Sequence, residues 1–268
     1  MRRARLDAEL VRRGLARSRE HAADLVHEGR VSVSGQKATK PATAVAPGDA
    51  LLVTDDQTDE NWASRGAHKL IGALDKFTTV QVAGARCLDA GASTGGFTDV
   101  LLRRGATQVV CADVGYGQLV WKLQTDDRVV IHDRTNVRTL TPEIIGGTVD
   151  LVVADLSFIS LTLVLPALTG CVTDEGDLVL MVKPQFEVGK DRLGAGGVVR
   201  DPALRAGAVV HVVTSAASIG LGLAGVVASP LPGPSGNVEF FIHLRKDTPI
   251  EPQAVLEMVE TAVRQGPS

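Results

Sequence analysis

The feature that most constrains the fold is an alternation of short apolar runs and helical segments from residue 62 onward. Runs of strand length occur in RCLDA, QVVCADV, RVVIHD, DLVVADL and DLVLMVK, and segments such as FTDVLLRRG separate them. Strands that are apolar on both faces and alternate with helices are typical of a parallel sheet covered on both sides. The sequence therefore predicts an α/β domain over residues 65–268.

The end of this pattern departs from the alternation. GLAGVVASP and NVEFFIHLR both look like strands, and only the turn LPGPSG lies between them. Because no helix is available for a crossover, two such strands are expected to pair as an antiparallel hairpin. We therefore expect a mostly parallel, seven-stranded sheet that ends in an antiparallel hairpin.

The first part of the chain, residues 1–58, has a different pattern and charge. RLDAELV and HAADLV have apolar residues at helical spacing, and VSVSG and LLV read as short strands. Residues 1–40 contain ten Lys and Arg against five Asp and Glu, whereas the whole chain has a net charge of −3. A basic head of this kind is expected where phosphates are bound. A polar, acidic stretch follows, and we place the interdomain linker at residues 59–64.

Several classes of protein are disfavoured. The richest apolar stretch, LVVADLSFISLTLVLPAL, is interrupted by polar residues, so a membrane-spanning helix is not expected. No apolar signal-peptide core follows the basic N-terminus, and we expect a cytoplasmic protein. The three cysteines and six histidines lack metal-ligand spacing, so no metal is expected. No obligate protein partner is evident.

A glycine-rich loop follows the first strand of the α/β domain and opens a helix. Such a position suits a nucleotide-type ligand, because small residues let the backbone approach it at the carboxyl end of the sheet. The spacing is not GxGxxG and no P-loop lysine follows, which disfavours dinucleotides and nucleoside triphosphates. Asp113, at the end of the second strand, is placed to receive the ribose hydroxyls of an adenosine. Taken alone, the glycines also fit an ordinary tight turn. The candidate binding residues in this loop are Asp89, Ala90, Gly91, Ser93, Gly95 and Gly96.

Two charged residues end neighbouring strands. Asp155 follows the fourth strand in VVADLSF, and Lys183 follows the fifth in VLMVKPQFE. Each alone fits a solvated strand terminus. Together they indicate a site, because ligands of open α/β sheets bind where the carboxyl ends of the strands meet.

These residues belong to a longer pattern. Lys69 in SRGAHKL, Asp155, Lys183 and Glu239 in GNVEFF are similar to the Lys-Asp-Lys-Glu tetrad of the FtsJ-like ribose 2′-O-methyltransferases. With DAGASTGGFT, DVGYGQL and PLPGPSGNVEFF, nearly the whole chain resembles the TlyA family of rRNA methyltransferases, also named hemolysin-like. RLDAEL, GLARSREHA and LVHEGRVSVSG resemble the family's S4-type RNA-binding domain.

The resemblance implies a Rossmann-like class I methyltransferase fold preceded by a small α+β S4-type domain. It implies S-adenosyl-L-methionine as the cofactor, held by the loop residues named above together with Asp113 and Asp155. It also implies rRNA within ribosomal subunits as the partner, with a cytidine ribose of 16S rRNA, 23S rRNA or both as the target.

The residue types fit that chemistry. A ribose hydroxyl is a poor nucleophile, so its proton must be loosened while oxygen, methyl carbon and sulfur are aligned. Lys183 is the candidate, either as a base or as a charged group that steers the hydroxyl and stabilises an oxyanion. Asp155 would orient Lys183, while Lys69 and Glu239 would hold the geometry. The position of the Asn/Asp-Pro-Pro-Tyr motif of amine methylation reads Asp155-Leu156-Ser157-Phe158, and Cys171 is not at a strand end where a nucleophile for cytosine C5 methylation would lie, which leaves ribose oxygen as the target.

Basic and aromatic residues are candidates for RNA contacts. Arginines in the basic head would bind phosphates, and Phe158 would contact the target nucleotide, although core packing is an alternative for Phe158. Two other functions stay open: a non-catalytic RNA-binding factor for ribosome assembly, and a membrane-lytic protein, since relatives carry the hemolysin name. The candidate RNA-binding residues are Arg2, Arg3, Arg5, Arg17, Arg19, Lys37, Arg65, Arg134 and Phe158.

Overall fold

The computed structural model describes residues 3–16, 19–27, 29–54, 62–246, 248 and 251–267. The chain divides into two compact units, Met1–Asn61 and Trp62–Ser268. The linker expected at residues 59–64 lies partly outside the described residues, and its bounds stay a prediction.

The N-terminal unit combines two helices with two small antiparallel sheets. Leu6 and Leu10 from the first helix, Leu25 from the second and Val31 from a strand are buried in one core. Gly14 follows the first helix at a φ of 72°, a conformation that glycine adopts without strain. The larger sheet has the order β3-β2-β5, and β1 pairs with β4. The elements are β1 (Ala4–Arg5), α1 (Leu6–Arg12), α2 (Arg19–His27), β2 (Val31–Val33), β3 (Gln36–Lys37), β4 (Ala44–Val45) and β5 (Leu51–Val53).

The second unit is built on a seven-stranded sheet of order β11-β12-β10-β9-β6-β7-β8. Strands β6 to β10 are mutually parallel, and β12 lies between β10 and β11, antiparallel to both. The predicted mostly parallel sheet with its terminal hairpin is thus confirmed. Its strands are β6 (Arg86–Ala90), β7 (Gln108–Ala112), β8 (Val129–His132), β9 (Val149–Ala154), β10 (Val172–Val182), β11 (Leu221–Ala228) and β12 (Phe240–Lys246).

Helices cover both faces of this sheet. Successive strand residues point to opposite faces, so Leu88 and Val152 enter one core, whereas Cys87 and Leu151 enter the other. The helices are α3 (Gly66–Lys76), α4 (Gly96–Arg103), α5 (Trp121–Gln124), α6 (Pro142–Ile145), α7 (Leu165–Cys171), α8 (Pro184–Glu187), α9 (Pro202–Ala217) and α10 (Pro252–Gln265). No helix of the described ranges is long and apolar enough to cross a membrane.

The register of the sheet gathers the strand ends that carry the candidate site. Ala90 pairs with Ala112 on one side and with Ala154 on the other, and Ala154 pairs with Leu180. Because the strands are parallel, the residues that follow them lie along one edge. The sequence pattern therefore brings the loop after β6, Asp113, Asp155 and Lys183 to the same end of the sheet.

Candidate active site

Asp89 is the fourth residue of β6 and is fully buried. Its Oδ2 accepts a hydrogen bond from the Thr98 hydroxyl at 2.6 Å, while Oδ1 has no hydrogen-bond partner among the described residues. Burial raises the pKa of Asp89 to about 7, and the nearby Asp155 adds to the increase, while the Thr98 hydrogen bond opposes it. A buried acceptor without a partner is costly, and it suits a ligand that brings a donor or a positive charge.

The glycines of the following loop have a structural reason that the sequence did not reveal. Gly91 and Gly95 have φ values of 84° and 97°, which favour glycine. A Cβ on Gly91 would lie 2.6 Å from the backbone oxygen of Asp155, and one on Gly96 would lie 2.2 Å from the Ser64 hydroxyl. Neighbouring protein atoms thus occupy the space that a side chain at Gly91 or Gly96 would need, and the loop packs closely against the segments that flank it.

Asp113 directly follows β7 and fixes this loop from the other side. Its Oδ2 accepts a hydrogen bond from the Ser93 N–H at 2.8 Å, and its Oδ1 accepts one from the Gly115 N–H at 2.7 Å. Ser93 has a φ of 47°, a strained value for a residue with a side chain. A carboxylate has further lone pairs, so Asp113 can still accept ribose hydroxyls.

Lys183 and Asp155 form an ion pair where β10 and β9 end. The Lys183 Nζ lies 2.6 Å from Asp155 Oδ1 and donates a hydrogen bond to the Ser157 hydroxyl at 2.9 Å. Oδ1 of Asp155 is buried, and its contact with the ammonium lacks hydrogen-bond geometry. Lys183 itself is only 8% exposed, so this charge is largely shielded from water. Oδ1 of Asp155 can therefore still accept a hydrogen bond.

Lys69 and Glu239 form the second ion pair, with Nζ 2.6 Å from Oε2. Lys69 comes from α3, and Glu239 immediately precedes β12; both are buried. Val182 of β10 pairs with Phe240 of β12, so Lys183 and Glu239 are each one residue from a paired position. The structure therefore places the four tetrad residues as two ion pairs, with Asp155, Lys183 and Glu239 at adjoining strand ends and Lys69 contributed by α3.

Phe158 is displayed on the surface of this site. Its side chain is 92% exposed, its φ is 64°, and its ring centroid lies 5.3 Å from that of Phe186. The core-packing alternative for Phe158 is therefore wrong. Arg134 also has a positive φ, of 54°, and its guanidinium lies 4.3 Å from the centroid of the Tyr116 ring. Arg65 is at the N-cap position of α3.

Sequence reasoning missed three residues of the site. Ser157, which holds Lys183, is two residues after Asp155 in the same motif. Tyr116 lies within DVGYGQL, three residues after Asp113. Glu187 follows Lys183 by four residues, the spacing of one helical turn, and accepts hydrogen bonds from the loop that carries Phe158. Their positions inside motifs already identified were the available signal.

In the N-terminal unit, two of the predicted RNA-binding arginines converge on one acid. Arg5 donates to Asp7 in a two-pronged contact with a shortest distance of 2.7 Å, and Arg19 donates to the same carboxylate at 3.1 Å. The Arg5 hydrogen bond is the main reason that the pKa of Asp7 falls to about 2. Both arginine side chains remain more than half exposed. They could therefore contact phosphates from fixed positions.

The other predicted RNA-binding residues of this unit have different outcomes. Arg3 and Lys37 are exposed. Arg2 and Arg17 lie outside the described residues.

Within the described part of the chain, no group of three or more His, Cys, Asp or Glu side chains could hold a metal ion.

Comparison with protein families gives two matches. A model described as FtsJ-like methyltransferase matches residues 62–246, and a model of the S4 domain matches residues 4–51. These ranges fall in the second and the first compact unit, respectively.

Individual relatives match most of the chain. The 16S/23S rRNA (cytidine-2′-O)-methyltransferase TlyA of Mycobacterium tuberculosis is 60% identical over 99% of both chains. Hemolysin A of Brachyspira hyodysenteriae is 35% identical over 89% of this chain and 98% of its own. A solved structure of a hemolysin-named protein from Streptococcus thermophilus covers 99% of this chain and 97% of its own, with 38% identity and a TM-score of 0.76.

Proposed function

The chain belongs to the FtsJ-like methyltransferases and, within them, to the TlyA family, and we propose that it methylates the ribose 2′-hydroxyl of ribosomal RNA. The observation that carries this proposal is the shielded Lys183–Asp155 ion pair, which stands beside the loop after β6. The M. tuberculosis relative is named for cytidine 2′-O-methylation of 16S and 23S rRNA. We extend this substrate to the present chain: a cytidine of 16S rRNA, 23S rRNA or both, presented within ribosomal subunits in the cytoplasm.

S-adenosylmethionine is the proposed cofactor, and it supplies a methyl group on a positively charged sulfur. The residues present fit such a ligand, because Asp89 and Asp155 each have a buried oxygen without a hydrogen-bond partner among the described residues. We assign the ribose hydroxyls of the cofactor to Asp113. The remaining contacts fall on Ala90, Gly91, Ser93, Gly95 and Gly96.

Lys183 has, in this proposal, a charged role. Its Nζ is held 2.6 Å from the Asp155 carboxylate, which fixes the position of this donor in the site. It can donate to the ribose oxygen, direct a lone pair toward the methyl carbon and stabilise negative charge on that oxygen. With the cofactor bound, the ribose oxygen would accept the methyl group as the methyl–sulfur bond breaks and leaves a neutral thioether, and Asp155 is the adjacent carboxylate that would take the hydroxyl proton.

Lys69 and Glu239 are proposed as positioning residues. Their buried pair joins α3 to the start of β12, next to the position of Lys183, and so fixes the strand end from which Lys183 acts. Because Lys183 is already held in position, it needs little reorganisation during the reaction.

RNA binding is divided between the two units in this proposal. Exposed cations of the N-terminal unit bind phosphates, and the target nucleotide leaves its stack to contact the exposed ring of Phe158. The residues assigned to RNA are Arg2, Arg3, Arg5, Arg17, Arg19, Lys37, Arg65, Arg134 and Phe158.

The test is transfer of labelled methyl from S-adenosylmethionine to purified ribosomal subunits that lack the modification. We expect label on rRNA with the wild-type protein, loss of label with Lys183→Ala, and unchanged label with Lys76→Ala, an exposed lysine at the end of α3. No transfer by the wild-type protein, despite cofactor binding, would contradict the proposal and favour the assembly-factor alternative. Liposome leakage that Lys183→Ala leaves unchanged would favour the lytic alternative.

A further inference from the structure

The loop that carries Phe158 has an unfavourable conformation that needs an explanation. A bulky L-residue at a φ of 64° is strained, and a phenylalanine ring that is 92% exposed gains little from burial. Strain of this kind persists only where surrounding contacts impose it. The contacts that impose it identify the residues that hold Phe158 in place.

The loop is held at both ends by one short segment, which begins at Lys183 and ends at Glu187. At the first end, Lys183 contacts Asp155 and donates to Ser157. At the other end, Glu187 Oε2 accepts a hydrogen bond from the Ser160 hydroxyl at 2.6 Å, and Oε1 accepts one from the Leu161 N–H at 2.8 Å. Phe158 lies between the two attachments.

The attachment of the loop to Glu187 requires a carboxyl group to be buried, which is unfavourable. Burial raises the pKa of the Glu187 carboxyl above its ordinary value, and its hydrogen bonds from Ser160 and Leu161 only partly compensate. A serine hydroxyl and a backbone N–H both donate to this carboxylate, so its two oxygens close the loop at separate points. The Ser160 side chain also accepts from the Thr162 N–H and thereby starts the short 3-10 helix Leu161–Leu163.

We propose that Glu187 is a positioning residue of the target-nucleotide site, which acts by holding the loop 155–161 so that Phe158 is displayed. The inference rests on the proposed function, in which Phe158 contacts the flipped nucleotide. Glu187 itself is engaged with Ser160 and Leu161, and its effect on the reaction passes through Phe158. Its neighbour Phe186 contacts the Phe158 ring, so the same segment supports both the backbone and the side chain.

The first experiment compares Glu187→Gln, Glu187→Ala and Asp150→Asn in the full-length protein. Asp150 is the matched control, because its carboxylate also accepts a backbone hydrogen bond, from the Arg86 N–H. Asp150 lies near the start of β9, whereas the Phe158 loop follows the other end of that strand. A left-handed conformation is about tenfold less populated than an ordinary one unless contacts hold it. Loss of the Glu187 contacts should therefore reduce the population of the displayed Phe158 about tenfold, and we expect Glu187→Ala to lower kcat/KM for ribosomal RNA by the same factor. Glu187→Gln, which keeps an acceptor, should lose less, and Asp150→Asn should match wild type.

A double variant separates positioning from general stability. If Glu187 acts through Phe158, adding Glu187→Ala to Phe158→Ala should cause no further loss of kcat/KM. Losses that multiply would overturn the proposal, and so would an unchanged kcat/KM in Glu187→Ala. Affinity for S-adenosylmethionine should change much less than kcat/KM, because the Glu187 hydrogen bonds are to Ser160 and Leu161, at the end of the loop away from Asp155.

Hydrogen exchange of the peptide that spans residues 155–161 provides a readout without RNA. We expect faster exchange in Glu187→Ala than in wild type and in Asp150→Asn, and equal exchange would overturn the proposal. An inactive wild-type protein with faster exchange in Glu187→Ala would contradict the proposed function but still support the role of Glu187 in holding the loop 155–161. An active wild-type protein with equal exchange in Glu187→Ala would contradict that role alone.

Discussion

Substitution of Lys69 by methionine should strongly destabilise the second unit, Trp62–Ser268. Glu239 is 1% exposed, its Oε2 contacts Lys69 at 2.6 Å, and its Oε1 has no hydrogen-bond partner among the described residues. Without Lys69 the carboxylate would lose its counter-ion while staying buried. Removing one member of a buried pair costs about 3–5 kcal/mol. In a domain of this size, that corresponds to a decrease in Tm of about 6–20 °C.

Tryptophan fluorescence during urea unfolding measures this effect, because both tryptophans, Trp62 and Trp121, belong to the second unit. The matched control is Arg104→Met, which removes a pair with Asp75 of the same 2.6 Å length but on the surface. An exposed pair is worth at most about 1 kcal/mol, so this variant should resemble wild type.

A double variant tests the cause. Replacing both members, with Lys69→Met and Glu239→Leu, should restore most of the lost stability, because apolar residues replace a buried ion pair at little cost. The restored protein should still be inactive if the pair positions the site. A single variant as stable as Arg104→Met, or a double variant no more stable than the single one, would refute the reasoning.

Three further predictions concern the cofactor loop and the N-terminal unit. Gly91→Ala should destabilise the protein by about 1–3 kcal/mol and weaken S-adenosylmethionine binding, because φ is 84° and the new Cβ meets backbone; thermal melting and calorimetry measure both. Arg5→Ala and Arg19→Ala should each make the slope of log affinity for rRNA against log salt less negative by about 1, as measured by filter binding. Arginine hydrogen bonds hold the pKa of Asp7 and Glu9 at about 2, below their ordinary values, so this unit should be fully stable above about pH 4.5 and lose stability as the pH falls toward 2, which NMR signals from residues 3–54 would report.

The sheet of the second unit could be predicted because its strands are apolar on both faces. The parallel arrangement of β6 to β10 follows from that pattern, and the antiparallel hairpin follows from the lack of a helix between β11 and β12, whereas the order of the strands in the sheet was not predicted. Helix α3 and helix α10 were not predicted, since neither lies between two apolar runs. Residues 116–124 lie between two apolar runs, yet only α5 (Trp121–Gln124) is helical, and Gly117 lies before it at a φ of 62°.

The members of the site could be predicted better than its connections. Strand ends placed Asp155 and Lys183 together, and the family resemblance added Lys69 and Glu239. The pairing of Lys69 with Glu239 could not be predicted, because it depends on the packing of α3 and on the register of β10 and β12. The exposure of Phe158 could not be predicted either, because it depends on a left-handed backbone that distant hydrogen bonds impose. Long-range contacts of this kind leave no periodic pattern in a sequence.

The most direct test of the central claim is the chemical position of the transferred methyl group. Labelled rRNA from the reaction would be hydrolysed with alkali and, separately, digested to nucleosides for mass spectrometry. A ribose 2′-O-methyl group blocks attack on the neighbouring phosphodiester, so the account predicts label in an alkali-resistant dinucleotide and in 2′-O-methylcytidine. Label in alkali-released mononucleotides that carry a methylated base would contradict it.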